Sequence, residues 1–127
     1  MSEETVTRLI LIVDDQPAIL EFLDLLLTTL GYQVIQAYNG EAALHAIRQT
    51  TPDLVITDVE MPVMDGWELV RYLRSSPLWS HLPVILTSAA THLPFGPDQL
   101  DAYTRFLPKP YSIRDLHPLI RHLVVMH

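Results

Sequence analysis

The chain has no cysteine, so neither a disulfide framework nor a thiolate metal centre can be built from it. Positive charge is scarce. The 8 Lys and Arg residues stand against 15 Asp and Glu, for a formal net charge of −7 and a pI near 5.1. A protein that grips nucleic acid needs a basic face to meet phosphates, so direct DNA binding is not expected. Long apolar runs are missing too: each breaks well short of the ~18 residues a membrane-spanning helix needs. The first residues, Met-Ser-Glu-Glu-Thr, are polar and acidic and lack a charged-then-apolar signal pattern. These absences suit a soluble, cytoplasmic protein with a polar extension over residues 1–7 and no membrane partner. Glycine numbers only 4, and none falls within Asp14-Asp-Gln-Pro17, where a phosphate-cradling fingerprint for a nucleotide cofactor would have to lie.

What remains is a good core former. With 127 residues, 49% hydrophobic and 18% charged, the chain fits one globular domain spanning residues 1–127 and leaves no room for a second module. Short apolar runs alternate with amphipathic segments, the pattern of repeated βα units around a parallel sheet. Strands are expected at Leu9–Val13, Gln33–Ala37, Leu54–Thr57, Val84–Thr87 and Arg105–Leu107, most of them Val/Ile/Leu-rich without polar alternation, as for strands covered on both faces. Helical spacing marks Ala18–Leu30, with Gly31 as its stop. Asn39 can cap Glu41–Gln49, Asp65 can cap Gly66–Ser75, and Ser112 can cap a last helix lined by Ile113, Leu116, Ile120, Leu123 and Val124. Two places break the pattern. Pro94, Gly96 and Pro97 leave only Asp98–Tyr103 for a short fourth helix after an extended loop, and Pro118 predicts a kink or restart in the last one.

Carboxylates collect at strand ends. Asp14-Asp15 closes the first apolar run and Asp58 the third, while a lone Lys109, flanked by prolines, follows the fifth. In a parallel sheet all of them would gather at the carboxyl edge, where open α/β sheets build their sites. Three acids and a lysine there can hold a divalent cation and a phosphoryl group. Plainer readings exist: Asp14-Asp15 as a helix-capping pair before Pro17, Asp58 as a turn carboxylate, Lys109 as a solvated loop residue. His45, His81, His92, His117, His122 and His127 show neither an i, i+4 pair nor ligand spacing with acids, and read as surface residues.

Five dispersed features, in order, make the chain resemble the receiver domain of bacterial two-component response regulators: Asp14-Asp15; Asp58 within Asp-Val-Glu-Met-Pro-Val-Met-Asp-Gly; Ser88-Ala89 after Pro83-Val-Ile-Leu-Thr; Phe106; and Lys109-Pro110. The resemblance runs from Arg8 to about Val125. It implies a flavodoxin-like doubly wound (βα)5 fold with five parallel strands in the order 2-1-3-4-5. It also implies a switch in which Asp58 accepts a phosphoryl group from a histidine kinase or phosphotransfer protein and changes a surface read by a downstream protein. Phosphoryl and carboxylate repel, so Asp58 needs that repulsion neutralised. Mg²⁺ or Mn²⁺ would serve, held by Asp15, Asp58 and the backbone carbonyl of Glu60 with Asp14 acting through water. Lys109 would pair with a phosphoryl oxygen as a point charge, next to a cis peptide before Pro110. Ser88 rather than Thr87 would donate its hydroxyl to the phosphoryl group, and Phe106 would either rotate in response or stand as a plain core aromatic.

The resemblance lapses between Ser88 and Phe106. The fourth helix is interrupted, and Ala102-Tyr-Thr-Arg105 replaces the usual Gly-Ala pair, so dimerisation through that face is not carried over. Glu60 and Ala90 flank the place where an attacking water must arrive, which makes Glu60 a candidate for tuning the phosphoryl lifetime. Trp67 offers a fluorescence reporter near the site. Two other classes compete with a signalling switch. A phosphatase working through an aspartyl-phosphate would need Asp-x-Asp, and Glu60 stands two residues after Asp58. A pseudo-receiver that binds partners without phosphorylation has no use for the intact acids, acceptor and lysine.

Overall fold

A computed structural model describes residues 7–126, so all of the expected polar extension except Thr7 lies outside the described residues. Five strands, β1 (Leu9–Val13), β2 (Gln33–Ala37), β3 (Leu54–Asp58), β4 (Val84–Ser88) and β5 (Thr104–Pro108), alternate with helices α1 (Pro17–Thr29), α2 (Gly40–Gln49), α3 (Gly66–Ser75) and α4 (Ile113–Met126). All strand pairs are parallel, in the order β2-β1-β3-β4-β5. The flavodoxin-like order expected from the sequence is therefore the order observed.

Alternation along the central strands divides their apolar side chains between two layers. Leu11, Val13, Val55, Val84 and Leu86 pack under α2 and α3 with Leu44, Ile47, Leu69 and Leu73. Ile10, Ile12, Leu54, Ile56 and Ile85 pack under α1 and α4 with Leu20, Leu27, Leu116 and Ile120. Both faces are dry, which is why these strands carry no polar alternation. Each such side chain contributes roughly 1.5–3 kcal/mol of burial, set against the entropy of ordering the chain.

Local signals fix the helix ends. Gly31 takes φ +98°, and the Tyr32 and Gly31 N–H groups bond back to the carbonyls of Leu27 and Thr28, which satisfies the end of α1. Asn39 Oδ1 accepts from Ala42 N at 2.8 Å, and Asp65 and Glu68 form a reciprocal capping box on α3. At α4 the Ser112 N–H and hydroxyl both donate to Asp115.

One expectation needs correction. Asp98–Tyr103 is no helix: only a single 3-10 turn, Pro97–Gln99, forms there. Asp101 prevents more, because its carboxylate accepts from its own neighbours, Tyr103 N at 2.7 Å and the Thr104 hydroxyl at 3.1 Å, in a turn that competes with helix. Of the kink or restart expected at Pro118 the restart does not occur, since α4 spans that proline as one element. Boundaries shift elsewhere by one residue. β3 takes in Asp58 and β4 Ser88, while β5 runs Thr104–Pro108 because its register with β4 pairs Val84 with Thr104 and Ser88 with Pro108. Proline is tolerated there, at the end of an edge strand. Among the described residues no helix is long and apolar enough to cross a membrane.

Candidate functional site

Register brings the strand ends level. Val13 pairs with Thr57, Asp58 with Thr87 and Ser88 with Pro108, so Asp14, Asp58, Ser88 and Lys109 reach the carboxyl edge together at the switch point between β1 and β3. Carboxylate oxygens of Asp14, Asp15 and Asp58 all lie within 4.8 Å of one another. Asp14 is buried and Asp15 exposed. The capping alternative is met only in part. Asp14 Oδ1 accepts from Gln16 N at 3.0 Å, but the N-cap of α1 is Gln16, without a side-chain cap.

Asp58 is 9% exposed, and its Oδ1 is buried with no hydrogen-bond partner. Lys109, the only lysine of the chain, sits between the acids, with Nζ 3.4 Å from Asp14 Oδ2 and 3.5 Å from Asp58 Oδ1. One ammonium is shared by two carboxylates, and a third, Asp15, clusters with them. Burial pushes the Asp58 carboxyl up from 3.8 to about 6. Lys109 opposes that rise, and the neighbouring Asp14 and Glu60 add to it. The same negative field reaches Tyr111, whose hydroxyl is pushed up to about 12 by burial first and then by Asp14 and Asp58. A buried carboxylate oxygen without a donor, beside two more acids and one cation, is a site short of positive charge. Its hard oxygen donors fit Mg²⁺ or Mn²⁺.

Backbone geometry holds the acceptor in place. A Cβ on Gly66 would collide with the Asp58 carbonyl, so only glycine lets α3 start this close to β3, where Gly66 N donates to Val59 O at 2.9 Å. Val63 in the connecting loop takes φ +71°, a left-handed conformation unfavourable for a β-branched residue. Lys109-Pro110 is cis, and Lys109 N donates to Ser88 O at 2.8 Å, joining the ends of β4 and β5.

The Ser88 hydroxyl does not point at Asp58. It donates to Glu60 Oε1 at 2.6 Å and accepts from Ala90 N at 2.9 Å. Thr87 Oγ1 bonds at 3.5 Å to the carbonyl of Thr57. Phe106 is half-buried against Phe95 in an edge-to-face pair with centroids 5.8 Å apart, and Phe95 in turn lies 4.7 Å from Trp67. Phe95 escaped the sequence reading because it sits in a stretch dominated by Pro94, Gly96 and Pro97. The apolar spacing of Leu93, Phe95 and Leu100, all of which pack on the α2/α3 core, was the available signal. Beside the site an apolar groove of about 420 Å³ runs between α1 and the β5–α4 connection, lined by Ile19, Phe22, Leu23, Pro110 and Tyr111.

Known proteins resemble this chain in sequence and fold. The family described as response regulator receiver domain matches residues 10–121. The probable transcriptional regulator ycf27 of Pyropia yezoensis is 37% identical over 122 residues, covering 91% of this chain and 46% of that protein. The transcriptional regulatory protein KdpE of Mycobacterium tuberculosis is 38% identical over 117 residues, covering 91% of this chain and 50% of that protein. The chain thus spans about half the length of these relatives. Among solved structures, a putative response regulator from Chloroflexus aurantiacus superposes with a TM-score of 0.84 at 31% identity, covering 94% of this chain and 99% of that one. The signal receiver domain of a histidine kinase from Syntrophus aciditrophicus gives 0.82 at 33% identity, covering 94% and 92%.

Proposed function

The chain belongs to the response regulator receiver domain family, and we propose that it acts there as a phosphoacceptor switch, with Asp58 taking the phosphoryl group of a phosphohistidine on a histidine kinase or phosphotransfer protein. The observation that carries this reading is the buried Oδ1 of Asp58, which makes no hydrogen bond and has Lys109 Nζ 3.5 Å away as its counter-charge. That oxygen attacks phosphorus in line; an O–P bond forms, the P–N bond breaks, and the imidazole leaves with the bonding pair. Lys109 loses little by turning from Asp58 to the incoming phosphoryl oxygens, because Asp14 still anchors it. Asp15, Asp58 and the Glu60 carbonyl, with Asp14 through water, are the residues to hold Mg²⁺ or Mn²⁺, which would supply the positive charge that one lysine cannot. The groove along α1, ending on the exposed Phe22, gives the donor protein an apolar contact next to the acceptor.

Once modified, Asp58 presents new acceptor oxygens to the Ser88 hydroxyl, and Phe106 answers by moving against Phe95. The module thus signals through protein contact in a cytoplasmic setting, binds no DNA itself, and turns over no external substrate beyond its own phosphotransfer and dephosphorylation. Incubation with phosphoramidate, followed by intact mass, tests this. A single phosphoryl adduct that forms with Mg²⁺ and is lost in excess chelator is the expected result. A folded protein that takes up no phosphoryl group with either ion would instead be a pseudo-receiver working by constitutive binding.

A further inference from the structure

Ser88 has one hydroxyl proton, and in this structure it is already given away. A hydroxyl donates once and accepts up to twice. Here the acceptor side takes the Ala90 N–H at 2.9 Å, while the proton goes to Glu60 Oε1 at 2.6 Å, the short distance of a charge-assisted bond. Ser88 itself is 1% exposed and its backbone is fixed by β4 and by the Lys109 N–H, so the hydroxyl cannot satisfy two anions by moving as a whole. Glu60, two residues beyond Asp58, is exposed and free to swing away.

We propose that the Glu60 carboxylate is a latch on the unmodified state: it accepts the hydrogen bond of the Ser88 hydroxyl, and a phosphoryl group on Asp58 is gripped only after replacing Glu60 as the acceptor of that bond. The inference rests on the phosphoacceptor reading and adds to it a positioning residue that sets the threshold of the switch. Glu60 and the phosphoryl group compete for a single donor. The latch therefore opposes modification in proportion to the strength of one hydrogen bond, weakened by the exposure of its acceptor. On release, Ser88 turns inward while keeping the Ala90 N–H, which draws the start of the β4–β5 connection with it. Glu60 also repels any anion on Asp58 through space, and that effect does not need Ser88. The two contributions separate in a double-mutant cycle.

Fluoroberyllate with saturating Mg²⁺, a phosphoryl mimic that assembles on a carboxylate, supplies the measurement, read by titration calorimetry on the wild type, Glu60→Ala, Ser88→Ala and the double variant. Glu60→Ala leaves the backbone carbonyl and the core untouched. The latch predicts that it tightens binding roughly 5- to 20-fold when Ser88 is present and by less than about twofold when Ser88 is alanine. Glu60→Gln, which can still accept the bond but without charge, falls between. An equal gain in both backgrounds means simple repulsion and overturns the latch, as does no gain in either. Failure of all four proteins to bind fluoroberyllate overturns the phosphoacceptor reading itself and the latch with it.

Discussion

A carboxylate folded into a place that cannot fully solvate it or pair it stores an unfavourable energy, and Asp58 is in that position. Its native carboxyl titrates near 6 and its unfolded one near 3.8, so between those values the native state binds more protons and stability falls as pH rises. Above pH 6 the cost is present in full. Asp58→Asn should stabilise the metal-free protein by about 1–3 kcal/mol at pH 7.5. The gain should shrink as pH is lowered from 6 and vanish below about 4, as read by urea unfolding across that range. Mg²⁺ should stabilise the wild type and leave the variant nearly unmoved. Val63 is a second strained residue: exposed, β-branched and at φ +71°. Asn tolerates that conformation and no packing is lost, so Val63→Asn should raise stability by about 1 kcal/mol, visible as a higher urea midpoint at unchanged slope.

At the scale of elements, the departure from the family pattern lies in residues 89–103, where a loop with one 3-10 turn stands in place of a helix. Side chains do the fastening that helix packing would have done. The Arg74 guanidinium, at the end of α3, donates to Asp101 at 2.7 Å, to the Thr104 hydroxyl at 2.8 Å and to the carbonyls of Trp79 and Tyr103. Burial opposes the charge on Asp101, yet bonds from Arg74, Tyr103 N and Thr104 hold its carboxyl below the usual range. Arg74→Ala removes four hydrogen bonds, three of them part-buried, and should cost roughly 2–3 kcal/mol, with added amide exchange confined to residues 96–105. In the middle of the loop Phe95 wedges between Trp67 and Phe106. Phe95→Ala should destabilise by roughly 3 kcal/mol and shift the emission of Trp67 to the red as water reaches the ring.

Across the whole molecule, most of the fold was legible because the two covered layers leave period and composition little freedom. Strands β1 and β2 match their expected bounds, and caps at Asn39, Asp65 and Gly31 placed the helix ends. Where packing or long-range bonds decide, the sequence was silent. Asp98–Tyr103 had helical spacing, but Asp101 turns its carboxylate onto Tyr103 N and the Thr104 hydroxyl, and Arg74, 27 positions away, fastens that turn. The acids and the lysine could be placed at one edge from strand ends alone. That Ser88 would be turned toward Glu60 could not, since it depends on which rotamer the loop after β3 allows. The chain's relatives include transcriptional regulators of about twice its span.

Intact mass after incubation with acetyl phosphate and Mg²⁺, measured on the wild type and on Asp58→Asn side by side, decides whether Asp58 is the acceptor. One phosphoryl adduct on the wild type and none on the variant is the predicted result. An adduct on folded Asp58→Asn, or none on the folded wild type, would contradict the assignment of Asp58 as the acceptor.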